Sequence, residues 1–553
     1  MNDLKEFYSI NLQLAMRNIL FIAFIFQSSI LFAQKTIKTT ASAKPKLMIG
    51  IVVDQMRYDY LYRYANNYSS GGFKRLMRDG YNCENTQLNY IPSVTGCGHA
   101  CIYTGSVPAI HGIAANDWYN RSTGKMMYCA QDEGVTSVGE DTKSGKMSPK
   151  NMLTTTIGDE LRLATNMRSK VIGISLKDRG SILPAGHSAT AAYWMDDSLG
   201  KFITSSYYMN EIPSWVAQFN DAENAKKYLS TNWNMYLPAE KYYQSAEDDN
   251  EYEGKFKNEK STSFPHMTSL FAKTADIKKT PFGNNITLDF SKQSIINYNL
   301  GKGAETDFIA ISLSSTDYVG HQFAINSLEI EDTYYRLDAA LEDFLLFLDK
   351  QIGAGNYTLF LTADHGAAHN PRYLKGNQIP AGYFFTGVER KKINEKGIQQ
   401  FGKNVIVDMG DNQIWINDTL NKEEAKAFVI KELKALPEMQ FVVDNENLAT
   451  SVLPEPIKTL AVNGYNAQRS GDILFILKPA YIESYNNSTT GTTHGTWNPY
   501  DLHIPLLWYG NGIPKGNTFR EVNMTDIAAT LAAMLRIQMP NGCIGKPIIE
   551  IIK

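Results

Sequence analysis

The chain has few cysteines, almost no net charge and only one segment that approaches the apolar length of a membrane span. Five cysteines in 553 residues are too few for a disulfide scaffold, and their odd number leaves one thiol unpaired if bridges form. A formal net charge of −3 argues against nucleic acid as a partner, because a nucleic-acid-binding surface usually requires a basic face. No internal repeat is visible. The composition, 43% apolar and 20% charged, instead predicts a globular protein with a large core.

The apolar segment is Ile19–Phe26, which follows Arg17. A membrane-spanning helix needs ~20 apolar residues, whereas this run is shorter and ends at a Gln-Ser-Ser triplet. A basic residue, a short apolar run and a small residue before a polar start are typical of a secretory signal peptide. We therefore predict a signal peptide over residues 1–33, cut after Ala33, and export to the periplasm or medium without stable membrane insertion after processing. Met16 is an alternative start site, and an uncleaved anchor is the alternative to cleavage.

Continuous apolar runs rich in β-branched residues recur along the chain, which indicates strands buried on both faces. They are residues 47–53, 170–175, 308–313, 357–362, 472–477 and 506–509. Helical periodicity lies between several of them, over residues 155–163, 327–348, 423–436 and 525–535. Alternating strands and helices predict an α/β fold with a mostly parallel central sheet between layers of helices.

The composition also predicts how the chain is divided. Residues 34–46, rich in Lys, Thr and Ala, indicate a short linker before the core. The catalytic core is predicted over residues 47–196 and 291–553. Residues 197–290 are rich in Tyr, Asn, Lys and Asp and contain no recognisable buried strand, so we expect an inserted lid there. The polar segment from about 380 to 470 is predicted to be a second elaboration.

Three aspartates and three histidines lie next to predicted strands, where ligands gather in open α/β sheets. They are Asp54, Asp317, His321, Asp364, His365 and His494. Each motif alone is weak, since an Asp-x-x-x-His pair is more often a surface pair and Asp54 alone could be a helix N-cap. Together they are enough for two divalent ions with open coordination positions. Nitrogen and oxygen ligands without thiolate are typical of catalytic zinc.

A candidate nucleophile and two candidate cations accompany these residues. Thr95 stands where a loop leads into a predicted helix, at the positive end of the helix dipole, where anions bind. The alternative is that Thr95 is only an N-cap. Lys177 and Arg179 follow the strand that ends at Ser175, and they share a face if that strand continues. Their alternative is a pair of solvated surface cations.

The order and combination of these motifs resemble the alkaline phosphatase superfamily, and most closely the PafA-type periplasmic alkaline phosphatases, which are bimetallic phosphate monoesterases. The residues that carry the resemblance are Val52-Val53-Asp54, the segment around Thr95, Asp317-x-x-x-His321, Thr362-x-Asp364-His365-Gly366, Thr493-His494-Gly495 and Asn523–Leu531. The resemblance implies one zinc ion on Asp317, His321 and His494. It implies a second zinc ion on Asp54, Asp364, His365 and Thr95.

The resemblance also implies the reaction. Thr95 would attack phosphorus to form a phosphothreonine, while Asn116, Lys177 and Arg179 contact the phosphate oxygens. The implied substrates are a broad range of small phosphate monoesters, and the implied enzyme is a monomeric phosphoric monoester hydrolase.

Three other functions were weighed against this one. A nucleotide pyrophosphatase/phosphodiesterase of the same superfamily shares the two-zinc site and the threonine nucleophile, and is the main alternative. A sulfatase would carry Cys/Ser-x-Pro-x-Arg, but the nearest match, Ser106-Val107-Pro108-Ala109-Ile110, has isoleucine in place of arginine. An inactive zinc-binding protein is not supported, because every ligand and the nucleophile are intact.

Overall fold

A computed structural model describes residues 44–552 apart from Tyr485 and Asn486, together with residues 9, 12–14 and 16–18, which are helical. Most of the predicted signal peptide, its cleavage site and most of the linker lie outside the described residues. Residues from Lys44 onwards form one unit. In the part of the chain that is described, no helix has both the length and the apolar composition that a membrane crossing requires.

The strands, numbered in chain order, are β1 Leu47–Val53, β2 Tyr81–Gln87, β3 Asp117–Asn120, β4 Lys125–Tyr128, β5 Ser137–Val138, β6 Val171–Ser175, β7 Ala191–Asp196, β8 Lys201–Ser205, β9 Asp307–Leu313, β10 Tyr357–Thr362, β11 Gly382–Phe384, β12 Ile406–Gly410, β13 Gln413–Ile416, β14 Met439–Asp444, β15 Ile473–Leu477, β16 Tyr481–Glu483, β17 His503–Ile504, β18 Leu506–Gly510 and β19 Gly516–Asn523.

The α-helices from Lys44 onwards are α1 Tyr60–Arg63, α2 Phe73–Asp79, α3 Thr95–Thr104, α4 Pro108–His111, α5 Ile157–Ala164, α6 Asp178–Ala185, α7 Ser214–Asp221, α8 Asn224–Leu229, α9 Thr268–Phe271, α10 Phe282–Asn297, α11 Ser315–Phe323, α12 Leu328–Leu348, α13 Pro371–Gly376, α14 Thr386–Phe401, α15 Lys422–Lys434, α16 Ile457–Gly464, α17 Pro499–Leu502 and α18 Asp526–Leu535.

The central sheet has eleven strands in the order β17-β2-β18-β10-β1-β9-β6-β7-β8-β5, with β19 paired to β2. Its middle five strands, β10, β1, β9, β6 and β7, run parallel, and antiparallel strands border them at β18 and β8. All seven residues of β1 are buried, as expected for a strand in the middle of a sheet against which helices pack. The predicted α/β fold with a central sheet between helices is confirmed, but the sheet is mixed, because parallel pairing is confined to its middle strands and to β19 with β2.

The longest helix matches the sequence prediction closely. α12 begins after Ser327, whose side chain accepts a hydrogen bond from the Ile330 amide and so caps the helix. Leucines at intervals of three and four residues form its buried stripe: Leu337, Leu341, Leu345 and Leu348. The other three predicted helices correspond to α5, α15 and α18.

Two sequence predictions about strands are wrong. The predicted run 472–477 forms β15, which belongs to a separate four-stranded antiparallel sheet, β12-β13-β15-β14, with its own apolar core. Residues 197–290 contain β8, a largely buried strand that pairs with β7 in the central sheet. Its sequence escaped recognition because its apolar run is only Phe202 and Ile203 between polar residues. The boundaries of the inserted lid, 197 and 290, stay a prediction.

Candidate metal centre

The carboxyl ends of the parallel strands bring the predicted ligands together. The register of β1 places Val52 opposite Thr362 of β10 and Ser312 of β9, so these three strands end at the same edge. Asp54 directly follows β1, and Asp364 and His365 follow β10. Helix α11 begins two residues after β9 and carries Asp317 and His321 four residues apart. This spacing places both side chains on one face of the helix.

The ligand atoms form two overlapping groups. Asp54, Asp364 and His365 each offer an atom within 4.8 Å of the other two, and so do Asp317, His365 and His494. His321 Nε2 lies 3.1 Å from Asp317 Oδ1, and His494 Nε2 lies 3.7 Å from the same oxygen. All six predicted ligands therefore meet, with His365 between the two groups.

The three imidazoles are oriented by the backbone. His321 Nδ1 lies 2.8 Å from the Thr492 carbonyl oxygen, and His494 Nδ1 lies 2.8 Å from the Ser93 carbonyl oxygen. His365 Nδ1 lies 3.0 Å from the Gly366 carbonyl oxygen. A carbonyl can only accept, so each Nδ1 carries a proton and each Nε2 is the ring nitrogen that faces the carboxylates and can bind a metal ion. This is the usual arrangement around metal-binding histidines.

The buried carboxylates of the centre carry negative charge that a metal ion would compensate. Asp54 Oδ1 and Asp364 Oδ2 are buried and have no hydrogen-bond partner. Burial, and then the charge of Asp364, raises the pKa of Asp54 well above its ordinary value. Burial also lowers the pKa of His494 well below its ordinary value, which keeps the ring neutral as a metal ligand must be. Nitrogen and oxygen donors with unpartnered buried oxygens fit divalent metal ions.

Lys177 contributes a fixed positive charge inside the centre. Its Nζ lies 2.7 Å from Asp54 Oδ2, 2.7 Å from Asp317 Oδ2 and 3.4 Å from Thr95 Oγ1. The side chain is only 1% exposed. It is therefore not the solvated surface cation that the alternative interpretation of the sequence required.

The expected strand geometry around Lys177 is wrong. Strand β6 ends at Ser175 and α6 begins at Asp178, so Lys177 occupies the position just before a helix and does not share a strand face with Arg179. Among the described residues, Arg179 has no hydrogen bond or ion pair with the centre. Its Nη1 donates to the Tyr128 hydroxyl at 3.1 Å, and its Nε is buried without a partner.

Thr95 is the first residue of α3 and is 1% exposed. Val94, not Thr95, occupies the N-cap position, so the alternative that Thr95 is only an N-cap is wrong. Thr95 Oγ1 lies 3.5 Å from His365 Nε2. Asn116 is held at the same helix terminus, where its Oδ1 accepts a hydrogen bond of 2.9 Å from the Gly96 amide.

A cavity of about 350 Å³ opens onto this arrangement. Asn116, His321 and His494 line it, together with Ser488 and the segment from Thr490 to Thr493. The volume is at the small end of ligand sites, and the lining is largely polar. A small polar substrate in this cavity would contact Asn116, His321 and His494, and would lie against Val94, the residue before Thr95.

Two residues that hold the centre in place were missed from the sequence. Gln55 donates from Nε2 to Asp317 Oδ1 at 2.6 Å and from its backbone amide to Asp364 Oδ1 at 3.2 Å. His99 lies one turn after Thr95, with Nδ1 2.9 Å from the Thr95 carbonyl oxygen and 3.3 Å from Asp364 Oδ2. Gln55 adopts a left-handed backbone conformation with φ of 63°. A glutamine after a strand does not predict this conformation, so no signal in the sequence pointed to its role.

Comparison with known proteins agrees with this geometry. A sequence profile of the family "Type I phosphodiesterase / nucleotide pyrophosphatase" matches residues 48–499. The Calcium-transporting ATPase of Myroides odoratus is 50% identical over 522 residues, which are 92% of this chain and 95% of that protein. The alkaline phosphatase PafA of Elizabethkingia meningoseptica is 47% identical over 526 residues, 93% and 96% of the two chains. A crystal structure of alkaline phosphatase PafA matches with a TM-score of 0.90 at 46% identity, covering 93% of this chain and all of that one.

Proposed function

The chain belongs to the type I phosphodiesterase / nucleotide pyrophosphatase family, and we propose that within this family it is an alkaline phosphatase that hydrolyses phosphate monoesters. The resemblance seen in the sequence is confirmed by a relative named PafA at 47% identity over nearly the whole chain. The observation that carries the choice of monoester is Lys177, whose ammonium lies 3.4 Å from the Thr95 hydroxyl. A cation at that point suits the doubly charged phosphoryl group of a monoester.

Two zinc ions complete the proposed site. Asp317, His321 and His494 would hold one ion. Asp54, Asp364, His365 and Thr95 would hold the other. Bound zinc supplies Lewis acidity, which lowers the pKa of a coordinated hydroxyl group and stabilises negative charge on oxygen.

Thr95 is the proposed nucleophile. Its Oγ forms a bond to phosphorus as the bond to the leaving oxygen breaks, which produces a phosphothreonine and releases the alcohol. Water then cleaves the Oγ–P bond, so that phosphate leaves and the Thr95 hydroxyl is restored. The position at the first residue of α3 supports this role, because helix N-termini favour anions.

Lys177, Asn116 and Arg179 are the proposed contacts to the phosphoryl oxygens. In phosphoryl transfer, charge is spread over these oxygens in a loose transition state, so donors aimed at them speed the reaction. Lys177 is already held beside Thr95, and Asn116 is fixed at the start of α3. The unpartnered Nε of Arg179 leaves that side chain with donor capacity for an anion.

The setting of the enzyme follows from the same proposal. We expect a broad range of small monoesters as substrates, because the cavity is small and places polar side chains next to the centre. Export through the signal peptide at 1–33 and a monomeric state are further parts of the proposal. Mass spectrometry of the mature N terminus tests the export, and finding residues 1–33 intact on a membrane-bound protein would replace it with an anchor.

The function is tested by turnover of one phosphate monoester and its matching diester, with metal analysis of the same preparation. ATP is tested as a third substrate, because the Myroides odoratus relative is named a Calcium-transporting ATPase. We expect faster hydrolysis of the monoester by an enzyme that contains two zinc ions per chain. Faster hydrolysis of the diester would favour the phosphodiesterase alternative, and full activity without zinc would contradict the proposed cofactor.

A further inference from the structure

A second group of carboxylates lies outside the metal centre. Asp248, Glu253 and Glu329 each offer an oxygen within 4.8 Å of the other two, and we call these three residues the acidic cluster. Asp248 and Glu253 come from the segment predicted to be the inserted lid. Glu329 comes from the first turn of α12, so the cluster joins that segment to the core.

Two of the three carboxylates are buried, Asp248 is half-buried, and the cluster is incompletely paired. Glu253 is 5% exposed and Glu329 is fully buried. Glu329 Oε1 lies 3.0 Å from His266 Nε2, but Glu329 Oε2 is buried without any hydrogen-bond partner. A buried carboxylate oxygen with no partner is costly, because it loses its hydration without compensation. The free oxygen beside two further carboxylates therefore points to a missing positive partner.

Charge counting leads to the same conclusion. His266 is the one basic side chain paired with the cluster among the described residues, and it also contacts Glu259. No described lysine or arginine forms an ion pair with Asp248, Glu253 or Glu329, and Lys255 of the same segment donates to the Lys260 carbonyl instead. One imidazolium cannot compensate three carboxylates, and burial together with the charge of Glu329 raises the pKa of Glu253 to about 8.

We propose that Asp248, Glu253 and Glu329 bind a calcium ion. All three ligands are oxygens, which hard divalent cations prefer, and neither a thiolate nor an imidazole belongs to the set. Three carboxylates would supply much of a calcium shell of six to eight oxygens, whereas magnesium usually keeps several waters and uses one or two carboxylates.

The ion would fasten the lid segment next to the metal centre. The Gly254 amide donates to the carbonyl of Gln322, the residue after His321, at 2.6 Å. The Gly491 amide donates to the Tyr252 carbonyl at 2.7 Å. Calcium is thus inferred to stabilise the fold around the centre without taking part in the reaction, and the inference does not depend on the proposed function.

Thermal unfolding of the full-length enzyme tests the site. Enzyme prepared in zinc-supplemented, calcium-free buffer should gain roughly 2–3 °C in Tm when CaCl2 saturates the site. Glu253→Gln should abolish the gain, and Glu247→Gln, which alters an exposed acid of the same segment, should keep it. A wild-type Tm that does not respond to CaCl2, an equal gain in Glu253→Gln, or a larger gain with MgCl2 would overturn the proposal.

Terbium luminescence provides a second readout that does not depend on stability. The Trp233 ring packs against His266 with centroids 5.0 Å apart, so it can sensitise Tb³⁺ bound at the cluster. We expect emission that CaCl2 displaces in the wild type and in Glu247→Gln, and little emission in Glu253→Gln. Absence of emission from the wild type, or equal emission from Glu253→Gln, would contradict the site.

Discussion

The metal centre and the acidic cluster each contain three carboxylates, but their neighbours differ. The metal centre adds three imidazoles, a lysine and a threonine hydroxyl, and it opens onto a cavity. The acidic cluster adds one histidine that already forms ion pairs and the Thr262 hydroxyl, which donates to Glu253 Oε2 at 3.2 Å. The neighbours, more than the carboxylates, therefore distinguish a site suited to catalysis from a site suited to holding the chain together.

The position of each group in the fold explains the difference. The metal centre lies where parallel strands end, so loops from several strands can deliver different donor types to one point. The acidic cluster lies between a polar segment and one helix, and the described side chains that bond to its three carboxylates are those of Asn250, Thr262 and His266. Variants at the two places should consequently change different properties.

Loss of a metal ligand should have the largest effect on activity. Asp364→Ala removes a carboxylate that faces His365 and is predicted to lose both zinc and turnover, by at least roughly 10⁴-fold in kcat. Its calcium-dependent gain in Tm should remain. Metal analysis and initial rates measure the losses of zinc and turnover. An active Asp364→Ala enzyme with full zinc content would contradict the assignment of Asp364 as a metal ligand.

Loss of the nucleophile should spare the metal. Thr95→Ala is expected to lower kcat by roughly 10⁴–10⁶, the range seen when a covalent nucleophile is removed. Zinc content should stay the same, because Asp54, Asp364 and His365 still hold the ion. Thr95→Ser should retain a substantial part of the activity, because the hydroxyl is kept. Undiminished turnover by the alanine variant would instead indicate direct attack by water.

Loss of the two cations should separate monoesters from diesters. Contacts that tighten in the transition state are worth ~3 kcal/mol each, or about a hundredfold, so Lys177→Ala with Arg179→Ala should lower kcat/KM for a monoester about 10⁴-fold. A diester lacks one charged oxygen and should be affected much less. Equal losses for both substrates would show that the cations do not select the monoester.

Gln55 should affect metal affinity more than chemistry. Gln55→Ala keeps the amide that binds Asp364 but loses the side chain that holds Asp317. Because partners of metal ligands are commonly worth 10–100-fold in affinity, we expect roughly that loss of zinc affinity, with kcat restored by excess zinc. Competition with a metal indicator measures it. Unchanged affinity would remove Gln55 from the proposed positioning role.

The smallest effect on activity is expected at the acidic cluster. Glu253→Gln should leave kcat/KM for a small monoester within about twofold of the wild type in calcium-free buffer, because the cluster makes no contact with the reacting group. The same preparation should lack the calcium response. A large loss of activity in this variant would show that the two sites are coupled.

Local pattern was enough to predict much of this protein. The buried runs that became β1, β9 and β10 were recognisable because continuous apolar sequence reflects burial on both faces of a strand. Helix α12 was recognisable from its leucine stripe, and the residues at the strand ends from the strands themselves. The signal peptide, the two zinc ions and the phosphothreonine stay predictions.

Other features were decided only when distant segments met. An apolar run does not state which sheet it will join, so 472–477 was assigned to the central sheet although β15 belongs to the smaller one. A short strand such as β8 is stabilised by its pairing with β7 more than by its own sequence. The helix that begins at Asp178 positions Lys177 in the metal centre, and the strand pattern of the sequence did not predict that helix.

The sequence alone thus determined the kinds of residue and their local spacing, and through them the fold class and the chemistry. The tertiary structure decided which of these residues share a hydrogen bond or a charge. Gln55 and Asp317 are 262 positions apart, yet their side chains lie 2.6 Å from each other. Periodicity reports on residues within one element, whereas such contacts depend on the register and packing of elements that are distant in the chain.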